Sequence, residues 1–172
     1  MFWDNFYPNF ISTVLGLILG LPIALWTSRI LESFQEKKKK RLEKERLKRA
    51  IEVIDKTLTD NKDWINQSGQ IIKDNKIQFE LIIDTSTWDA VKNEIIEFLH
   101  DPVIQKRLAY HFSRLKSYER LYSMYIDFSK GVNAIISSSE KTREVIKTQL
   151  LNSTSFLLTD IDEIQTLLNK VG

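Results

Sequence analysis

A chain of 172 residues has room for one modest domain and a short additional segment. Its formal charge of +2 implies no partner by itself. The absence of cysteine excludes disulfides, thiolate nucleophiles and cysteine metal sites, and the two histidines, His100 and His111, leave little material for a zinc site. Five Gly and three Pro in a chain rich in Ile, Leu, Lys and Glu favour an all-α fold. We therefore expect no metal and no cofactor.

The first feature along the chain is an apolar segment, residues 10–28, which carries no charged side chain. As a helix that rises about 1.5 Å per residue, this segment spans about 28 Å, close to the hydrocarbon thickness of a bilayer. Asp4 is the only charged residue before it, and basic residues follow it, which disfavours a cleaved signal peptide and puts the C-terminal part in the cytoplasm. The sequence predicts an extracytoplasmic N-terminus over 1–9 and a transmembrane helix over 10–28.

Small side chains recur at every fourth residue of the apolar segment. This small-residue stripe consists of Ser12, Gly16, Gly20, Ala24 and Ser28. Small residues let helix backbones approach closely in lipid, so the stripe predicts a self-association face, with chance occurrence as the alternative. Within the same segment, Pro22 removes the amide that would bond the Ile18 carbonyl, which predicts a kink or a loosened turn.

A basic cluster follows the apolar segment, within a neck predicted over residues 29–49. Its nine basic residues are Lys37, Lys38, Lys39, Lys40, Arg41, Lys44, Arg46, Lys48 and Arg49. The neck contains no helix breaker, so we expect it to continue the membrane helix and to lie at the membrane surface, where it attracts anionic lipid and acts as a stop-transfer signal. No aromatic residue is interleaved in the cluster to stack on bases, so we expect no nucleic-acid contact there.

A heptad pattern begins at the end of the neck. Its positions, which alternate spacings of four and three, are Leu47, Ile51, Ile54, Leu58, Asn61 and Ile65. This neck seam indicates a helix that packs lengthwise, either within a bundle of its own chain or against other copies. The polar Asn61 either fixes register or oligomer number, or marks a solvated boundary near the helix end.

Residues 50–172 are predicted to form a cytosolic bundle of three to four helices. Gly69 and the polar stretch around it predict a turn or a loosened region, and residues 77–83 are predicted to be helical or irregular. Ser86 and Asp89 match a capping box, which starts a helix that runs to Leu99.

Two further helix starts follow. Asp101 and Pro102 suit the N-cap and first helical positions of a long helix, and residues 137–140 cap a last amphipathic helix.

No phosphate-binding loop, nucleophile elbow or zinc-protease pattern occurs, so we expect no catalytic residues and no small-molecule substrate. The nearest candidates are Arg107 and His111, which share a helix face. The helical ribonucleases called HEPN domains have four to six residues between such an Arg and His, whereas three intervene here. On the last helix, Asp160, Asp162 and Glu163 are interpreted as a solvated face.

The run from Ile11 to Trp26, the helix start Thr87–Ala90 and the turn Leu99–Val103 resemble those of small prokaryotic single-pass proteins of unassigned function. The resemblance implies an inner-membrane anchor with a cytosolic helical domain. The layout is also similar to that of the membrane accessory protein of type VI CRISPR systems, which is regarded as a divergent HEPN protein that forms a membrane pore.

Two functions are consistent with these sequence features. The first is a non-enzymatic, homo-oligomeric membrane effector, pore-forming or membrane-perturbing, in antiviral defence of the CRISPR type. The second is a passive membrane-anchored scaffold or receptor that binds a cytosolic protein. Expected partners are the bilayer and other copies of the chain, with a cytosolic protein or ribonucleoprotein as a further candidate.

Overall fold

All regular structure in the described part of the chain is helical, which confirms the all-α prediction. A computed structural model describes the backbone of residues 2–76, 81–129 and 139–171, and the side chains of residues 10–18, 20–76, 81–129 and 140–171. Its helices are α1 (Phe2–Lys73), α2 (Ser86–Phe98), α3 (Pro102–Ser129) and α4 (Ser139–Leu168). The chain divides into an N-terminal unit, Met1–Glu45, and a C-terminal unit, Arg46–Gly172, and α1 contributes to both.

The N-terminal unit consists of the first part of α1. Within the described residues, one helix is long and apolar enough to cross a bilayer, and none of its apolar window is buried inside the chain. The helix includes Pro22 without interruption, while a change of direction at that residue stays a prediction. The predicted continuation of the apolar helix through residues 29–49 is confirmed, because α1 is unbroken there.

The C-terminal unit is a helical bundle around one hydrophobic core, as predicted. The part of α1 after residue 45, together with α2, α3 and α4, supplies most of the buried side chains, and Ile83 and Leu99 add to them from the segments beside α2. Fully or almost fully buried members include Ile54, Leu58, Ile65, Ile72, Ile95, Leu108, Phe112, Leu115, Leu150, Leu157, Ile161 and Ile164. Each helix presents one apolar face because these residues recur at spacings of three and four.

The predicted turn at Gly69 is wrong, because α1 continues through this residue to Lys73. Gly69 lies where α1 packs against α4, and a Cβ atom placed on it would come within 2.9 Å of Thr154 Cγ2. The helix ends instead at Lys73, and Asn75, two residues further on, has a left-handed φ of 54°. The amide of Asn75 donates to the Ile72 carbonyl at 3.2 Å and that of Lys76 to the Ile71 carbonyl at 3.0 Å, which is a Schellman ending.

Helix α2 begins at Ser86 as predicted, but the capping box is wrong. Asp84 Oδ1 accepts hydrogen bonds from the amides of Ser86 at 2.8 Å and Thr87 at 3.1 Å, so the aspartate two residues earlier satisfies the free amides. The preceding residues 81–85 have no regular structure, and residues 77–80 of the predicted irregular stretch lie outside the described part.

Helix α3 starts as predicted, since Asp101 Oδ1 accepts from the amides of Val103 at 2.9 Å and Ile104 at 3.2 Å. Helix α4 begins at Ser139, and residues 137 and 138 of its predicted cap lie outside the described part.

Candidate functional site

The two weak catalytic candidates, Arg107 and His111, meet on one carboxylate of α4. The Arg107 Nε atom donates to Asp160 Oδ1 at 3.0 Å, and its Nη2 atom pairs with Glu163. The Nδ1 atom of His111 lies 2.6 Å from Asp160 Oδ2. Arg107 and His111 are one turn apart on α3, and Asp160 and Glu163 are nearly one turn apart on α4, so the four residues form one polar cluster between the helices. We call it the α3–α4 cluster.

Burial increases steadily across the α3–α4 cluster. The Glu163 side chain is 54% exposed and that of Arg107 is 32% exposed, whereas Asp160 is 5% and His111 is 0% exposed. The interpretation of Asp160 as part of a solvated face is therefore wrong. The burial of Asp160 could have been predicted from its position in the sequence. Asp160 follows Leu157 by three residues and precedes Ile164 by four, which places it on the apolar face of α4.

The contact with Asp160 defines which ring nitrogen of His111 carries a proton. A carboxylate only accepts hydrogen bonds, so Nδ1 carries the proton and donates it to Asp160. The other ring nitrogen, Nε2, is buried and has no hydrogen-bond partner among the described residues. Burial lowers the pKa of His111, Asp160 raises it and Arg107 lowers it, with a net decrease from the ordinary value. The imidazole is therefore neutral at pH 7.

The geometry of the α3–α4 cluster is that of polar side chains packed between two helices. An imidazole that exchanges a proton with a phosphodiester has to reach the substrate, but the His111 side chain has no exposed surface. Arg107 is held by Asp160 and Glu163, so two of its donor atoms are already directed at carboxylates. The cluster joins α3 to α4, and no group of three or more His, Asp or Glu in the described residues is arranged to hold a metal ion.

The small-residue stripe lies on the exposed surface of α1. Ser12, Gly16, Gly20, Ala24 and Ser28 are all exposed. Apart from the adjacent backbone of α1, a Cβ atom added at Gly16 or Gly20 would meet no atom of the described residues within 4 Å. The stripe thus makes no close contact within its own chain at these glycines. Ser28 Oγ donates to Glu32 at 3.3 Å, one turn further along the helix.

All nine residues of the basic cluster are exposed on α1. Three of them form ion pairs one turn apart along the helix: Lys39 with Glu43 at 3.8 Å, Arg41 with Glu45 at 3.0 Å and Lys48 with Glu52 at 3.8 Å. Such exposed pairs stabilise a helix by only about 0.3–0.5 kcal/mol each.

The neck seam packs inside the C-terminal unit. Ile51, Ile54, Leu58 and Ile65 belong to the hydrophobic core, and Leu47 is partly buried against it. Of the two packing alternatives, the structure therefore shows these side chains against helices of their own chain.

Asn61, the polar position of this seam, is 1% exposed, so it is not a solvated boundary. Its side-chain amide donates to the Asp84 carbonyl at 2.9 Å and its oxygen accepts from the Asp84 amide at 2.8 Å. Asn61 thus holds the segment before α2 against α1.

Comparison with known proteins finds no matching family model, no matching curated protein and no matching solved structure.

Proposed function

We propose that this chain is a non-enzymatic membrane protein of the prokaryotic inner membrane, anchored by residues 10–28 with its N-terminus outside and its C-terminal unit in the cytoplasm. Support comes from the exposed apolar helix: Leu17, Ile23 and Trp26 each expose 60% or more of their surface. Apolar surface of this extent marks contact with lipid or with another protein, and the segment has the length of a bilayer span. The basic cluster after it agrees with a cytoplasmic neck.

The spanning helix, in this proposal, associates with its copies through the small-residue stripe. The supporting observation is the open surface at Gly16 and Gly20, where a Cβ atom added to either glycine would meet no other part of the described chain within 4 Å. In lipid there is little hydrophobic force between helices, so close backbone approach at small residues is what favours association.

The assembly that follows is a homo-oligomeric effector that forms a pore or perturbs the membrane. The layout resembles that of the type VI CRISPR accessory protein, which makes antiviral defence the corresponding context and a cytosolic protein or ribonucleoprotein the corresponding partner. The segment is apolar apart from Ser12, Thr13, Thr27 and Ser28, so such a pore is narrow or opens by wetting of an apolar constriction.

The alternative function is a passive membrane-anchored scaffold, and one surface of α3 favours it. Val103 is 69% exposed and Tyr110 is 52% exposed. Both line an open hollow of about 930 Å³ together with Pro102, Lys106, Arg107 and Ala109. An exposed apolar surface with a basic rim is suited to binding a cytosolic protein, and it requires no pore.

The mass of the full chain in nanodiscs tests these two functions. Gly16→Leu/Gly20→Leu fills the stripe, while the control Ile18→Phe/Leu25→Phe adds bulk on the opposite side of the same helix. A ring of six or more copies, dispersed by the glycine substitutions and kept by the control, supports the effector and leads to conductance recordings. A monomer or dimer that is indifferent to both pairs contradicts the effector and favours the scaffold.

A further inference from the structure

The α3–α4 cluster contains a buried histidine, His111, that has no role in the proposed function. We propose that this cluster is an acid-sensitive latch, which holds α3 against α4 while His111 is neutral and releases them when His111 takes up a second proton. The inference is independent of whether the chain forms a pore.

The geometry at His111 disfavours a second proton on the ring in the closed form. Nδ1 already carries a proton and donates it to Asp160 at 2.6 Å, so a second proton has to enter at Nε2. That atom is buried, and no described residue accepts a hydrogen bond from it. A protonated ring would therefore hold a charged donor inside the bundle without a partner, which strongly disfavours the closed form.

The charges around His111 offer limited compensation. On its own helix Arg107 is a cation that already shares Asp160, and it repels a second positive charge. From α4, Asp160 contacts the ring, while Glu163 is directed at Arg107 and is half exposed.

The charged groups that pair with these helices from elsewhere in the bundle are engaged in their own contacts. From α1, Lys62 pairs with Asp162 at 2.5 Å and Asp55 accepts from Gln165 at 2.9 Å. From α2, Asp89 pairs with Lys116 at 3.0 Å.

Release of the latch would open the contact between α3 and α4 beside buried apolar side chains. Leu108, Phe112 and Leu115 on α3 and Leu157 and Ile161 on α4 are each 1% exposed or less. They lie within one turn of His111 or Asp160 along their helices, so separation of the two polar residues exposes apolar surface beside them. Acid would thus uncover an apolar face that is buried at neutral pH.

Hydrogen–deuterium exchange of the full chain in nanodiscs tests this inference, with labelling times scaled to keep intrinsic exchange constant between pH 7.5 and 5.5. In the closed form His111 stays neutral, whereas in the open form it titrates with the ordinary imidazole pKa near 6.5. The equilibrium constant for opening should therefore rise about tenfold when the pH falls from 7.5 to 5.5. Peptides that contain residues 108–115 and 157–164 should therefore exchange about tenfold faster at pH 5.5. The exposed His100 provides the matched control.

In His111→Gln the acid-induced rise should disappear, and in His100→Gln it should persist. A pH-independent wild type overturns the latch, and so does an acid response that survives in His111→Gln, because that response belongs to a group other than His111. If His111→Gln does not fold, the wild type is tested instead, by measuring hydrogen–deuterium exchange at the carbon-bound hydrogens of its imidazole rings. At pH 7.5 His111 should exchange at least tenfold more slowly than His100, and equal rates contradict a closed, neutral histidine.

Discussion

The contact of α1 with α4 at Gly69 leads to the sharpest stability prediction. Gly69→Ala places a Cβ atom 2.9 Å from Thr154 Cγ2, well inside van der Waals contact. Thr154 is not free to turn away, because its hydroxyl donates to the Leu150 carbonyl at 2.9 Å and lies 3.0 Å from the Tyr118 hydroxyl. The Tyr118 hydroxyl in turn lies 2.7 Å from Ser68 Oγ, so the whole group is held by hydrogen bonds.

Two opposing effects determine the magnitude for Gly69→Ala. Alanine in place of glycine inside a helix stabilises by about 1 kcal/mol. Forcing an extra methyl group into a packed interface costs about 1–3 kcal/mol. We expect a net loss of about 0–2 kcal/mol, whereas the control Asn66→Ala, at an exposed position on the same helix, should be neutral or stabilising.

A double-mutant cycle isolates the contact. Thr154→Ser removes Cγ2 and keeps the hydroxyl, so Gly69→Ala should stabilise the protein in that background by up to about 1 kcal/mol. The expected coupling is about 1–3 kcal/mol, measured as unfolding free energies of the full chain in detergent by denaturant titration. If Gly69→Ala stabilises equally with Thr and with Ser at 154, the close contact does not limit the packing and the reasoning is refuted.

Three further predictions concern polar groups of the same unit. Burial lowers the pKa of His111, so below about pH 6.5 the unfolded chain binds more protons than the folded chain. The folded state is therefore fully stable above that pH and loses stability on acidification. Urea titrations of the wild type should show this loss, and His111→Gln should lack it. Burial opposes the charge of Asp84, but hydrogen bonds from Thr87 and Ser86 outweigh it and lower its pKa. In thermal unfolding, Asp84→Ala should lower the free energy of unfolding by about 1–2 kcal/mol, and Ser86→Ala should lower it clearly less. Equal losses would support the capping box instead of the cap formed by Asp84. Asn61→Ala leaves the Asp84 amide and carbonyl without their side-chain partner and should cost about 1–3 kcal/mol in the same assay, while an unchanged midpoint would contradict the observed pairing.

Features that depend on neighbours along the chain were predictable from the sequence. The charge-free segment 10–28 predicted a long apolar helix, and α1 contains it. The start of α3 at Asp101 and Pro102 was predicted because an N-cap binds amides only two and three residues away. The apolar spacing of the later helices predicted a helical bundle, because periodicity alone determines which face of a helix is apolar.

The candidate site, in contrast, depends on residues far apart in the sequence. His111 and Asp160 are 49 residues apart, and only the packing of α3 on α4 shows that Asp160 is buried rather than solvated. Gly69 looks like a helix breaker until Thr154, from another helix, fills the space of its missing side chain. Local patterns determine where helices begin and which faces are apolar, but a polar or small residue acquires its role from the side chain that meets it across the bundle, and that partner is decided by the tertiary structure.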